Sequence, residues 1–319
     1  MKIGLFFTCF YSEKKIFMSD YWSQYWQQGY LTSFGQDIQG NYTGELKACW
    51  EQFFASLTPN SQILDVGTGN GAIIKLGLNP ERKTDFIFHG VDSAKLAVSK
   101  DLLDNPNIQF YPEVNVESLP FKDHQYQAVV SQFALEYIKL EPAIAQLSRV
   151  LCKQGQFQFV IHDISSIIVM PNVNILMSAQ RLAAPDGCFT LLKMLLNKLA
   201  KKDDAEAGKI RTQLNEKMGR EMTDDSQSLS ATNFPQLIKA VFAKGVSEEQ
   251  RQKYIEFFAQ ELIGQTERLT DLAEAALDDQ KKQTLMFLLD QYGLVVKLTK
   301  QIIDGNGNLI AHCVSGVKV

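Results

Sequence analysis

The sequence predicts an α/β protein: a doubly wound, mostly parallel sheet with a C-terminal antiparallel hairpin and a helical insertion. Three observations lead there. From Gln62 to Asp163, short apolar strands alternate with helical stretches, the pattern of a parallel sheet covered by helices. The first strand breaks into a glycine-rich turn, Gly67-Thr68-Gly69-Asn70-Gly71, and then enters a helix. Near the C-terminus, Leu294 to Ile303 and Leu309 to Val317 flank Asp304-Gly305-Asn306-Gly307-Asn308, a strong hairpin signal.

Each element follows from local pattern. MKIGLFFTCF carries one lysine and a short apolar run, like the start of a signal peptide, but no small-residue cleavage site follows. Those residues read alternatively as a disordered leader before a folded part that starts near Met18. Residues 18 to 30 carry Tyr21, Trp22, Tyr25, Trp26 and Tyr30, with each of the pairs Tyr21/Tyr25 and Trp22/Trp26 four apart and so on one face of a helix. They form either an aromatic lid over a substrate or a staple that packs an N-terminal helix on the body. A helix from Gly44 to Leu57 ends at Thr58-Pro59-Asn60.

Strand one is Gln62 to Val66, with its helix from Asn70 to Leu78. Strand two is Asp85 to Val91, after which Asp92-Ser93 starts the next helix. Strand three is Ile108 to Tyr111 and strand four Ala128 to Ser131. A helix from Pro142 to Leu151 precedes a turn at Lys153-Gln154-Gly155 and strand five, Gln156 to Ile161. The alternation of Gln156 and Gln158 with Phe157 and Phe159 is unusual for a buried parallel strand. It implies a face left partly open or covered by a polar neighbour. Residues 166 to 292 read as successive helices, with Ser247 and Gln250 as a capping box before a helix from Glu248 to Ile263. The chain therefore divides into a leader and helical lid (1–60), an α/β core (61–165), a helical insertion (166–292) and the closing hairpin (293–319).

Composition limits the function. The 319 residues are 45% hydrophobic and 21% charged, with a net charge of -4. An acidic balance without a basic, aromatic cluster disfavours nucleic acid as a partner. Five scattered cysteines without CxxC spacing suggest reduced thiols in a cytoplasmic protein. Four histidines, none in paired spacing, give no metal signature. No stretch reaches the roughly 18 apolar residues of a membrane helix.

The glycine turn points to a small polar ligand. Glycines let the backbone turn sharply and approach a ligand closely, and the helix behind aims its partly positive end there. Two ligand classes fit. Gly67-x-Gly69-x-x-Ala72, with Asp92 20 residues on, matches the dinucleotide pattern. Against it, Asp65 lies just before the glycines, where a carboxylate repels a pyrophosphate but meets the ammonium group of a methionine moiety.

Several ordered motifs between Gln62 and Asp163 resemble the class I S-adenosylmethionine-dependent methyltransferases, in particular the methyltransferase type 11 group. LDVGTGNG is similar to that family's cofactor loop, and GVDSA to its ribose-binding strand end. NVESLPF resembles its G-D-A-E-x-L-P-F segment, and YQAVVSQFALEYI and RVLCKQGQFQFVIHD resemble its strand-four and strand-five motifs. The resemblance implies a Rossmann-like methyltransferase fold and S-adenosyl-L-methionine as cofactor. The implied cofactor contacts are Asp65, Gly67, Thr68, Gly69, Asp92, Ser93, Asn115, Val116, Ser131 and Gln132. Asp92 is expected on the ribose hydroxyls, and Asn115 with the Val116 N–H on the adenine. Asn115 replaces the family's usual aspartate, and a neutral acceptor is weaker than a charged one.

Methyl transfer needs a general base only where the acceptor loses a proton. His162 and Asp163 follow strand five, at the sheet edge where such folds place their sites, and the histidine is either a base or a satisfied structural residue. Glu136 and Tyr137 follow strand four, and Glu136 either faces the acceptor or caps the next helix. His89, His124 and His312 read as structural or exposed. The expected activity is methyl transfer to a small-molecule acceptor, with a protein acceptor also possible. The rivals are an NAD(P)-dependent oxidoreductase and a non-catalytic, methyltransferase-like scaffold.

Overall fold

The computed structural model describes residues 18–34, 40–78 and 86–319. The expected leader and Asp85, the expected start of strand two, lie outside the described residues. The chain folds as two compact units. One comprises the described residues up to Ile161 with 279–307 and 311–319; the other comprises 162–278 with 308–310.

The first unit is a seven-stranded sheet in the order β3-β2-β1-β4-β5-β7-β6. The strands are β1 (Gln62–Val66), β2 (Ile87–Val91), β3 (Ile108–Tyr111), β4 (Tyr126–Gln132), β5 (Leu151–Ile161), β6 (Leu294–Ile303) and β7 (Leu309–Lys318). β1 to β5 run parallel, and β7 lies antiparallel to β5, as the terminal hairpin predicts. Ile63, Leu64, Phe88, Val129, Phe157 and Phe159 are fully enclosed, which is why these strands read as apolar runs. The order reverses between β1 and β4, and a crevice opens there at the carboxyl ends of the strands.

The glutamines of β5 have a polar neighbour. Helix α1 (Met18–Trp26) precedes helix α2 (Gly44–Ser56), and it is α2 that meets them. Gln156 accepts from Ser56 Oγ at 3.1 Å, and Gln158 Nε2 donates to the Cys49 carbonyl at 3.5 Å. Register pairs Asp65 with Val130 and Val130 with Gln158, so Asp65 and Gln158 leave the same face. On that face the Cys49 thiol meets Cys313 of β7 at 3.7 Å.

Several boundaries differ from the sequence reading. The Lys153-Gln154-Gly155 turn is a bulge inside β5: Tyr126 pairs with Leu151 and Ala128 already with Gln156, and Gln154 turns through φ 61°. Helix α3 (Ala72–Gly77) starts two residues later than Asn70, because Gly71 has a left-handed φ of 89°. No helix starts at Asp92-Ser93; α4 is only Lys100–Leu103. The intervening amides are committed elsewhere, Ala94 N to Asp92 Oδ1 and Ala97 N to Asn70 Oδ1, so no i to i−4 ladder nucleates. Helix α5 spans Leu140–Val150.

The second unit is helical: α6 (Val169–Ala183), α7 (Cys188–Ala200), α8 (Asp204–Ala231), α9 (Phe234–Val241) and α10 (Glu248–Ala275). It has its own apolar core, including Leu182, Leu192, Phe234 and Val241. The predicted capping box of Ser247 and Gln250 is present, but α10 runs well past Ile263. Helix α8 breaks at Asp225, whose carboxylate accepts from both the N–H and the hydroxyl of Ser228 and so caps a new helical start. Helix α11 (Asp279–Gln291), expected within the insertion, instead packs in the first unit against α5 and β6. No helix among the described residues is long and apolar enough to cross a membrane.

Candidate functional site

The glycine turn follows β1 at the crevice. Gly67, Gly69 and Gly71 have φ values of 68°, 51° and 89°, a region closed to most side chains. The turn is pinned from beneath, since Gly67 N and Thr68 N both donate to the Val91 carbonyl, at 2.9 and 3.0 Å. Space is restricted too. A Cβ on Gly67 would collide with that of Ala134, and one on Gly69 would run into the Trp26 ring.

A cavity of about 120 Å³ opens beside this turn. Its walls come from the ends of β1, β2 and β4, the stretch after β3, and the aromatic N-terminal segment. Of the expected cofactor contacts, Gly67, Thr68, Asp92, Ser93, Asn115, Val116 and Gln132 line it. Asp65, Gly69 and Ser131 do not. Ser131 Oγ donates to the Val66 carbonyl at 2.9 Å and so ties β4 to β1.

Asp92 braces the turn. Its Oδ2 accepts from Gly69 N and its Oδ1 from Ala94 N, both at 2.9 Å. Burial pushes its carboxyl above the usual range, while these backbone donors oppose the shift. A carboxylate offers about four acceptor positions, so capacity remains for a ligand hydroxyl. Asn115 caps the short 3-10 turn Val116–Ser118, its Oδ1 accepting from Glu117 N at 2.9 Å. That fixes the side chain for which the family resemblance implies a contact with adenine.

Asp65 is only 1% exposed. Its Oδ2 accepts from the Thr68 hydroxyl at 2.7 Å, while Oδ1 is buried with no partner among the described residues. Burial pushes its carboxyl up to about 7; the nearby Asp92 charge adds to the rise, and the Thr68 bond opposes it. On the same face, Gln132 Oε1 accepts from the Trp50 indole N–H at 2.5 Å, and its buried Nε2 is left without a partner among the described residues. Tyr42 and Ser33 complete this corner, their hydroxyls 3.4 Å apart. A buried carboxylate oxygen and a buried amide donor, both unsatisfied, suit a ligand group carrying a cation beside an acceptor.

The expected catalytic residues separate. Tyr137 lines the cavity; Glu136, on the same 3-10 turn (Leu135–Tyr137), does not. His162 directly follows β5, as the sequence indicates, but it is 5% exposed, falls in the second unit and does not line the cavity. The five aromatics also separate. Trp22 and Trp26 are walls, stacked at 5.8 Å, with the Tyr137 ring at 6.3 Å from Trp22. Tyr21, Tyr25 and Tyr30 pack behind them: Tyr21 on Trp22 at 5.4 Å, Tyr25 on Trp26 at 5.0 Å, and Tyr30 on Tyr25 at 5.2 Å. No group of three potential metal ligands occurs among the described residues.

Sequence reasoning missed Ser33, Tyr42, Trp50 and Asn70. A signal existed for Trp50, since a tryptophan on the apolar side of a helix needs a partner for its indole N–H. Ser33 and Tyr42 sit in irregular chain with no periodicity to place them.

Residues 64–159 match the family described as Methyltransferase domain, of type 11. No curated protein sequence matches the chain. Among solved structures, the chain is similar to a putative S-adenosyl-L-methionine-dependent methyltransferase from Methanococcus maripaludis, at 12% identity over 86% of this chain and 85% of that one, TM-score 0.42. It is also similar to a 1,6-didemethyltoxoflavin-N1-methyltransferase from Burkholderia thailandensis, solved with 1,6-didemethyltoxoflavin and S-adenosylhomocysteine, at 9% identity over 86% and 78%, TM-score 0.43. A third similarity is to a putative methyltransferase from Haloferax volcanii, solved with its activator, at 19% identity over 35% of this chain, TM-score 0.31; here the match spans about half of the other chain, 51%.

Proposed function

We propose that the protein, whose residues 64–159 match a methyltransferase domain of the type 11 group, uses S-adenosylmethionine as cofactor and methylates a small, uncharged acceptor. The observation that carries the cofactor assignment to this cavity is its lining by Gly67, Thr68, Asp92 and Asn115, with Asp65 behind Thr68, its buried Oδ1 without a partner among the described residues. A carboxylate there favours a ligand ammonium group and disfavours a pyrophosphate, which separates this reading from a dinucleotide oxidoreductase.

S-adenosylmethionine supplies an electrophilic methyl group on a sulfonium, so this chain has to bind, orient and exclude water. Asp65 takes the ammonium end, and the Gln132 amide takes an acceptor oxygen beside it. Asp92 holds ribose hydroxyls with the acceptor positions that Gly69 and Ala94 leave free. Asn115 and the Val116 N–H face the adenine. Trp22, Trp26 and Tyr137 wall the acceptor side, and their ring faces attract a cationic sulfonium. Tyr137, rather than His162 or Glu136, is the expected residue that contacts the acceptor.

The acceptor class follows from the walls. Among the described residues they hold no lysine, arginine or histidine, and Asp92 is their only carboxylate. Such a lining offers nothing to a phosphate-rich acceptor and favours a neutral, ring-containing one. The four described cysteines are free thiols, which supports the cytoplasm as the setting.

The test is turnover with trideuteromethyl-labelled cofactor against panels of neutral aromatic molecules, anionic metabolites, peptides and RNA. Release of S-adenosylhomocysteine with label on a neutral ring compound is expected. Labelling of only peptide or RNA overturns the acceptor class. Tight cofactor binding with no product from any panel favours the scaffold reading.

A further inference from the structure

Asn70 lies inside the glycine turn, between two residues of left-handed φ, and is 2% exposed. Its side chain is fully engaged by three different segments. Nδ2 donates to the Trp26 carbonyl at 2.9 Å and to the Tyr30 carbonyl at 2.7 Å, and Oδ1 accepts from Ala97 N at 2.9 Å. The first partner is the last residue of α1, whose terminal carbonyls have no partner within the helix. The second lies in the turn that follows. The third lies in the irregular stretch after Asp92. Two donors and one acceptor on a two-carbon stem are what asparagine alone provides; aspartate has no donor when ionised, and alanine has neither.

We propose that Asn70 is a positioning residue that locks the Trp22/Trp26 segment onto the cofactor loop, so that ordering the loop and closing the aromatic wall are one event. The proposal rests on the reading of this loop as the cofactor site. Asn70 itself does not line the cavity. It acts through Trp26, whose ring lies against Gly69 and forms a wall. A further polar tie from α1 to this region is more exposed: Lys95 N donates to Ser23 Oγ at 2.9 Å. Because Gly69 and Gly71 flank Asn70, a change in the turn's φ/ψ swings its amide and moves three bonds together. A ligand that fixes the turn therefore also fixes the segment from Tyr21 to Phe34.

The experiment compares full-length wild type with Asn70→Ala, Asn70→Asp and Asn70→Ser. Hydrogen exchange is followed with and without S-adenosylhomocysteine, and ligand dissociation by stopped-flow tryptophan fluorescence. In wild type, ligand should slow exchange in 21–34 and leave the hairpin 294–317 unaffected. Asn70→Ala should lose that ligand-linked slowing and release ligand on the order of tenfold faster, as two or three lost hydrogen bonds imply. Asn70→Asp, which sets a carboxylate against two carbonyls, should behave as badly or worse. Asn70→Ser keeps one hydroxyl donor and should fall between, and it replaces the alanine variant if that one does not fold. A merely structural role would lower thermal stability yet leave the ligand-linked protection intact, and that result overturns the proposal. Absence of binding by the wild type overturns the cofactor reading itself, and the proposal with it.

Discussion

Asp65→Asn should make the apo protein more stable and the cofactor complex weaker. The Asp65 carboxyl is fully buried, holds one hydrogen bond and is pushed up to about 7 from an ordinary 3.8. A carboxyl whose native value lies above its unfolded value binds more protons in the native state. Its contribution to stability is present below about pH 4 and lost as pH rises through 7. At about 1.4 kcal/mol per pH unit, the loss across that window reaches on the order of 4 kcal/mol at most. Asparagine keeps the shape without the charge, so chemical denaturation at pH 8 should show the variant gaining a sizeable part of that amount, and nearly nothing at pH 4.

Ligand binding should show the opposite dependence. An ammonium group prefers the ionised carboxylate, so the wild-type dissociation constant for S-adenosylhomocysteine should weaken about tenfold from pH 8 to pH 6, with one proton released on binding near pH 6. Isothermal titration in buffers of different ionisation enthalpy measures both. Methylthioadenosine, which has no amino acid end, should bind without this pH dependence, and Asp65→Asn should remove it for S-adenosylhomocysteine. A wild-type affinity that is flat from pH 6 to 8, or an Asp65→Asn variant that binds as tightly as wild type at pH 8, would refute the assignment of Asp65 to the ammonium group.

Two further substitutions probe the turn. Asp92→Ala strips the acceptor from Gly69 N and Ala94 N as well as from the ribose, so calorimetry should show cofactor affinity weaker by about 2–3 kcal/mol, and unchanged affinity in a folded variant would rule out the role. Gly67→Val drives a branched side chain into Ala134 at a φ of 68°, so binding should vanish while far-UV circular dichroism keeps most of its signal; normal binding would mean that the glycine serves only the connection.

What the sequence made legible is what local chemistry dictates. Apolar runs, glycines at alternate positions and an Asp-Gly-Asn-Gly-Asn turn require no knowledge of distant partners, and the sheet, the glycine turn and the hairpin follow from them. Boundaries slipped where a side chain took over backbone donors. Asp92-Ser93 reads as a helix start, yet Asp92 and Asn70 claim the amides of Ala94 and Ala97. The choice among five aromatics was not legible either. Spacing puts Trp22 with Trp26 and Tyr21 with Tyr25, but it does not say which pair faces the loop; the bonds from Asn70 to the Trp26 and Tyr30 carbonyls decide that. His162 directly follows β5, as read from the sequence, and begins the helical unit.

The glutamines of β4 and β5 connect packing to chemistry. An all-apolar face under α2 would let the helix slide or rotate, since apolar contact is non-directional. Here Gln156 and Gln158 meet the Ser56 hydroxyl and the Cys49 carbonyl, and directional bonds set where α2 stops along the sheet. That placement brings the Trp50 indole to Gln132 Oε1 and uses the amide's acceptor side, so the donor side is the one left free in the corner shared with Tyr42. Without Trp50 the amide can flip, and its oxygen would then face an incoming carboxylate. The odd polar alternation in β5 is thus the far end of a chain of contacts that sets the polarity of the cavity's amide, and Asp65 Oδ1, without a partner among the described residues, supplies the opposite polarity on the same face.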